Sequence, residues 1–137
     1  VARAFVDTNV LVYANDGRDP VKQTQAASLL EELAELGDCV FSTQVLHEYA
    51  SVALAKLRLD PALVQQQVTL LANAEVVPLT ADLICRAVDL HAEHHLSYWD
   101  ACILVAAETA GCAELYSEDL NPGQSYAGVR VVNPFAG

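Results

Sequence analysis

The chain has 137 residues, is 53% hydrophobic, and carries 18 Asp and Glu against 7 Lys and Arg, a formal net charge of −11. That length and apolar content suffice for one domain, residues 1–137, with a true core. The charge argues against nucleic-acid binding through a broad basic face, leaving divalent cations or a basic protein as bridges to partners.

No apolar run reaches the ~18–20 residues needed to span a bilayer. No basic segment followed by an apolar stretch opens the chain, so no signal peptide is expected. The cysteines at 39, 85, 102 and 112 lack CxxC spacing. They read as small buried hydrophobes in a reducing, cytoplasmic setting.

In chain order, Ala4–Asp7 reads as a strand, and Asn9–Tyr13 starts a short helical turn. NDGRDP, residues 15–20, is turn chemistry. Val21–Leu36 is a helix closed by Gly37, followed by a strand at Cys39–Phe41. Ser42 or Thr43 caps a helix expected to reach about Leu59. Pro61 opens another, to about Ala74. A third strand is expected at Val76–Pro78, then a helix from the Thr80 cap to near His94. Ser97 caps a helix running to Ala110, and strands follow at Glu114–Tyr116 and Val129–Val132. Alternating strands and helices imply an α/β fold: a three-layer α/β/α sandwich on a mostly parallel sheet of about five strands.

Four acids stand where carboxylates are costly or conspicuous. Asp7 sits at the carboxyl end of the first strand, between two apolar runs, where α/β sheets bind ligands. Glu48 falls on the helix face that carries Val45, Tyr49 and Val52. It reads as functional, as a stripe-edge residue reaching solvent, or as a buried partner for an Arg. Asp100 opens the helix SYWDACILVAAETA, which is apolar on all sides. Capping by Ser97 and Asp100 would explain it alone, yet one carboxylate oxygen can cap while the other faces a cleft. Asp119 lies in a turn rich in Asn, Pro and Gly, an ordinary place for Asp, but just past a central strand end. Alternation would aim Ser117 and Asp119 the same way in an extended chain. Four converging carboxylates cannot all stay ionised without a cation. Mg²⁺ suits them, because it takes oxygen ligands and needs few directly.

The segments FVDTNVLVYA, LHEYASV, SYWDACILVAA and LYSEDLNPG resemble, in order, the four acidic motifs of the PIN-domain family. The resemblance extends through the closing VRVVNPF and is greatest to the VapC-type toxins of toxin–antitoxin pairs. It implies a Mg²⁺- or Mn²⁺-dependent endoribonuclease. Asp7, Glu48, Asp100 and Asp119 would be its catalytic and metal-binding acids, supported by Thr8, Asn9 and Ser117. It also implies a homodimer, an RNA substrate and a basic antitoxin partner. Ser117 stands where many relatives carry Thr, which keeps the hydroxyl. Asp7 and Asp100 are the expected main metal ligands, with Arg18, Lys22 and Arg86 as candidate RNA contacts.

Rival readings have discriminators in the sequence. A haloacid-dehalogenase-type phosphatase needs DxD, and Asn9 stands two after Asp7. A protein-binding PIN-like module need not keep all four acids. A nuclease acting on DNA is expected to be larger. His91 and His95 have the i, i+4 spacing of a zinc chelate, but without the acid of HExxH they read as a solvated helix end. Tyr98 and Trp99 would stack on a base or pack in the core or at the rim.

Overall fold

A computed structural model describes residues 3–136; Val1, Ala2 and Gly137 of the expected domain span lie outside the described residues. Each strand–helix alternation read from the sequence is present. The strands β1 (Ala4–Val6), β2 (Cys39–Ser42), β3 (Glu75–Val77), β4 (Glu114–Tyr116), β5 (Ser125–Tyr126) and β6 (Val129–Val132) form one sheet in the order β3-β2-β1-β4-β6-β5. Every pairing is parallel except β5 with β6.

The sheet therefore has six strands, not five. The added strand, β5, is two residues long and returns to β6 through Ala127 (φ 50°) and Gly128 (φ 83°). Positive φ at both central positions marks the tight hairpin turn whose twist suits antiparallel strands. Ala127 in place of the usual Asn conceals that turn in the sequence.

The helices are α1 (Thr8–Ala14), α2 (Pro20–Leu36), α3 (Thr43–Ala55), α4 (Pro61–Leu71), α5 (Ala81–His94) and α6 (Tyr98–Thr109). Helices α1 to α4 pack on one another as one group, and α5 packs on α6, which crosses β2, β4 and β6. Each expected cap is made: Ser42 Oγ accepts from Val45 N–H at 3.3 Å, Thr80 Oγ1 from Leu83 N–H at 3.2 Å and Ser97 Oγ from Asp100 N–H at 3.1 Å. Gly37 ends α2 in the left-handed region at φ 71°. Helices α3 and α4 stop three or four residues short of expectation. Arg58 turns the chain with φ 55° after α3, a boundary no glycine announces.

Helix α6 is buried from Ala101 through Ala107, on every side, as its uninterrupted apolar sequence requires. Its first turn is thereby fixed against the carboxyl ends of the strands. Of the cysteines, Cys102 and Cys112 are buried, Cys39 is half-buried, and Cys85 is exposed on α5, contrary to its reading as a core residue. No helix among the described residues is long and apolar enough to cross a membrane.

Candidate functional site

Strand order reverses between β1 and β4: the chain proceeds from β1 outward to β2 and β3, then returns to build β4, β6 and β5 on the other side. Such a switch point leaves a crevice beyond the carboxyl ends of the two adjacent strands. Val6 pairs with Tyr116 in register, so the next residues, Asp7 and Ser117, emerge side by side there. Backbone bonds hold both: Asp7 N–H donates to the Tyr116 carbonyl and Ser117 N–H to the Val132 carbonyl, each at 3.0 Å.

Asp7 is buried, 6% exposed, and is also the N-cap of α1. Its Oδ1 accepts from Thr8 N–H at 2.7 Å and its Oδ2 from the Ser117 hydroxyl at 2.8 Å. Ser117 Oγ in turn accepts from Asp119 N–H at 3.2 Å and, more distantly, from Asn9 Nδ2 at 3.4 Å. One donor and two lone pairs are all a hydroxyl has, so Ser117 is fully used. Asn9 Nδ2 also donates to Asp119 Oδ2 at 3.1 Å, and Asn9 Oδ1 accepts from Glu118 N–H at 3.3 Å. Asn9 thus ties the segment after β4 to the start of α1. Ser117 and Asp119 do face one region, as alternation suggested, but through a local side-chain turn rather than an extended chain.

Burial pushes the Asp7 carboxyl up to about 6, against the hydrogen bonds from Ser117 and Thr8, with smaller upward pushes from Asp119 and Glu48. Half-buried Asp100 is likewise raised, first by burial, with the Ser97 hydroxyl lowering it and Asp119 adding to the rise. These couplings bring all four acids to one cleft.

Glu48 is exposed and stands at the rim rather than within the apolar stripe of α3, whose Val45 and Tyr49 are buried. Of the readings open for it, the structure matches the stripe-edge residue reaching solvent and not a buried partner of an Arg. Gln44, one turn earlier, holds it, with Nε2 donating to Glu48 Oε1 at 2.8 Å and to the Trp99 carbonyl at 3.2 Å. Gln44 was missed in the sequence, although its i, i+4 spacing to Glu48 was there to read. Glu118 was missed too. Its carboxylate accepts from the Tyr13 hydroxyl at 2.9 Å and pairs with Lys22, clamping the segment that carries Ser117 and Asp119.

The donor set fits a hard divalent cation. The acids offer only oxygen, and among the described residues none of the four has a basic side chain in ion pair or hydrogen bond. Thr8 Oγ1, beside Asp7, is buried without a partner. Among the described residues no three acidic, His or Cys side chains are gathered tightly enough to cage an ion. That suits an ion that keeps several waters and takes one or two carboxylates. His91 and His95 are exposed at the end of α5, as a solvated helix end would be.

The PIN-domain family model matches residues 4–124. The chain belongs to the PIN-domain family. PIN domains of the VapC kind are nucleases, and PIN nucleases generally use divalent metal ions. No curated protein matches the sequence. Among solved structures, the chain is similar to a toxin–antitoxin complex from Klebsiella pneumoniae (25% identity, TM-score 0.72, covering 96% of this chain and 98% of that one). It is also similar to the sarcin–ricin-loop-cleaving toxin VapC20 of Mycobacterium tuberculosis (21%, TM-score 0.67, 85% and 89%). A third similar structure is VapBC2 of Rickettsia felis bound to a promoter DNA fragment (17%, TM-score 0.58, 85% and 87%). The resemblance of this PIN domain to VapC-type toxins therefore extends from its motifs to its fold.

Proposed function

We propose that residues 1–137 act as one nuclease domain, a Mg²⁺- or Mn²⁺-dependent endoribonuclease that is the toxin of a toxin–antitoxin pair. The observation that carries this reading is buried Asp7, joined through Ser117 and Asn9 to Asp119 and pushed up to about 6, with no basic side chain paired to it among the described residues. Asp7 and Asp100 would be the main ligands, with Glu48 and Asp119 nearby. A bound divalent ion supplies activation of the attacking water and stabilisation of charge on the phosphate.

The chain's own residues set the stage for it. Ser117 and Thr8 N–H fix both oxygens of Asp7, so that the carboxylate cannot swing away. Asn9 holds Asp119 within reach, and Gln44 holds Glu48. Thr8, Asn9 and Ser117 thereby act as positioning residues. A basic antitoxin suits the acidic chain, and the similarity to the Klebsiella toxin–antitoxin complex supports such a partner. A homodimer and cytoplasmic action belong to the same reading.

The test is RNA cleavage by the wild-type protein, freed of co-purifying partners, in EDTA, Mg²⁺ and Mn²⁺, beside Asp7→Asn. Cleavage in metal only, lost in the variant while circular dichroism is unchanged, is the expected result. Cleavage undiminished in Asp7→Asn, or undiminished in EDTA, would overturn the assignment.

A further inference from the structure

Trp99 is the one tryptophan of the chain. Among the described residues it is also the only exposed aromatic side chain, at 61%. A lone exposed apolar ring needs no explanation by itself; this one stands one residue before Asp100 and lines a cavity. Tyr98 braces it edge-on, with ring centroids 5.1 Å apart. With His47, Leu79, Gln44 and Glu48, Trp99 lines a cavity of about 470 Å³ whose wall is mostly apolar.

That cavity adjoins the acidic cluster. Glu48 belongs to both, the Gln44 amide bonds Glu48 and the Trp99 backbone together, and Asp100 follows Trp99 directly.

Charge narrows what binds there. Of the seven basic residues, Arg3, Arg18, Lys22, Arg86 and Arg130 are each paired with a carboxylate. The three candidate RNA contacts are among them. Lys56 and Arg58 have no ion-pair partner among the described residues, but they follow the end of α3, where eight residues set Lys56 roughly 12 Å along the helix axis from Glu48. Beyond ion bridging, little on this face attracts phosphate. Affinity for a polyanion must then come from a contact indifferent to charge, and stacking of a base on an aromatic ring is one.

Resting on the nuclease reading above, we infer that the Trp99 cavity is a nucleobase subsite. An unpaired base of the RNA, adjacent to the phosphate held at the carboxylates, stacks on the indole. Leu79 completes the apolar wall, and His47 and Glu48 offer polar atoms at the base edge.

Because the chain holds one tryptophan, selectively excited indole fluorescence reports this ring alone. The protein used is the wild type in Mg²⁺, read by rapid mixing before cleavage proceeds. The probes are a short single-stranded oligoribonucleotide of mixed sequence and an abasic ribose-phosphate chain of equal length. Expected are saturable quenching by the base-carrying strand and little by the abasic one. Trp99→Ala should weaken binding, read by anisotropy of a labelled strand, roughly ten- to a hundredfold, and Trp99→Phe should restore most of it.

Equal quenching by both chains, no quenching by either, or undiminished binding by the Trp99→Ala protein would overturn the subsite. So would a fluorescence change driven by protein concentration alone, which would assign the face to a second copy. Quenching by a basic peptide but not by RNA would assign it to a protein partner and overturn it too. Cleavage by the same proteins separates the two readings. Unchanged KM in Trp99→Ala overturns only the subsite, whereas base-dependent quenching without any wild-type cleavage overturns only the nuclease.

Discussion

At the amino ends of the strands, acids meet bases. Arg3, just before β1, pairs with Glu75 at the start of β3 and also donates to the Ala110 carbonyl at 2.6 Å. Glu114, the first residue of β4, pairs at 2.6 Å with Arg130, its register neighbour on β6. At the carboxyl ends of the same strands, Asp7, Asp100 and Asp119 gather with Glu48 and have no basic partner among the described residues. The amino end pairs two of its acids with arginines, and of its acids only Asp38, just before β2, keeps a buried oxygen without a partner among the described residues. The carboxyl end holds charge in reserve, and only something from outside can balance it. Uncompensated buried charge costs stability, so the gathering of four unpaired acids at the switch-point crevice, against a single one at the other end, is the strongest sign of where this protein acts.

The largest way to break that contrast is at Asp7. Its carboxyl titrates at 3.8 in the unfolded chain and at about 6 when folded. Between those values the folded state holds more protons, so stability falls as pH rises through the window and the loss is complete above it. The shift corresponds to about 3 kcal/mol. Metal-free Asp7→Asn should therefore be more stable than wild type by up to that amount at pH 7–8, with the gain vanishing near pH 4. Denaturant titrations at both pH values measure it. Mg²⁺ should narrow the gap by stabilising the wild type alone. A gap independent of pH would show that burial of the charge is not its source.

Ser117→Ala sharpens the same end. It strips Asp7 Oδ2 of its donor and should cost about 1–3 kcal/mol. Because the Ser117 bond lowers the Asp7 titration, its loss should also move the acid limb of the pH–rate profile to higher pH. Ser117→Thr should restore both, since the hydroxyl carries the role.

The smallest effect belongs to the amino end. Glu114→Gln breaks an ion pair whose arginine is 58% exposed and should cost no more than about 1 kcal/mol. RNA cleavage should be unaffected. A large loss of activity there would erase the distinction between the two ends.

Local chemistry accounts for what was legible in the chain. Caps at Ser42, Thr80 and Ser97, the glycine stop at 37 and the apolar run of α6 are encoded within a few residues, and each appears where read. The α3 end and the β5 hairpin were not, because Arg58 and Ala127 take left-handed conformations that their residue types do not advertise, and α4 ends without any marking residue. The PIN-type order of the four acids, and their placement after strands or in helices, were likewise visible. Their environment was not. Glu48 sat on the expected helix yet proved exposed, since a difference of a few tens of degrees around a helix separates core from rim.

The sequence by itself determined the alternating α/β elements, their caps and the order of the acids, because these depend on propensity and period along the chain. Tertiary structure alone decided that β1 and β4 become neighbours, setting Asp7 against Ser117 across 110 residues. It also decided that Asp7 is buried, that five of the seven basic residues are spent in ion pairs, and that Trp99 faces water beside the cleft. Solvation and charge pairing depend on what lies nearby in space, and the fold brings those neighbours from distant parts of the chain.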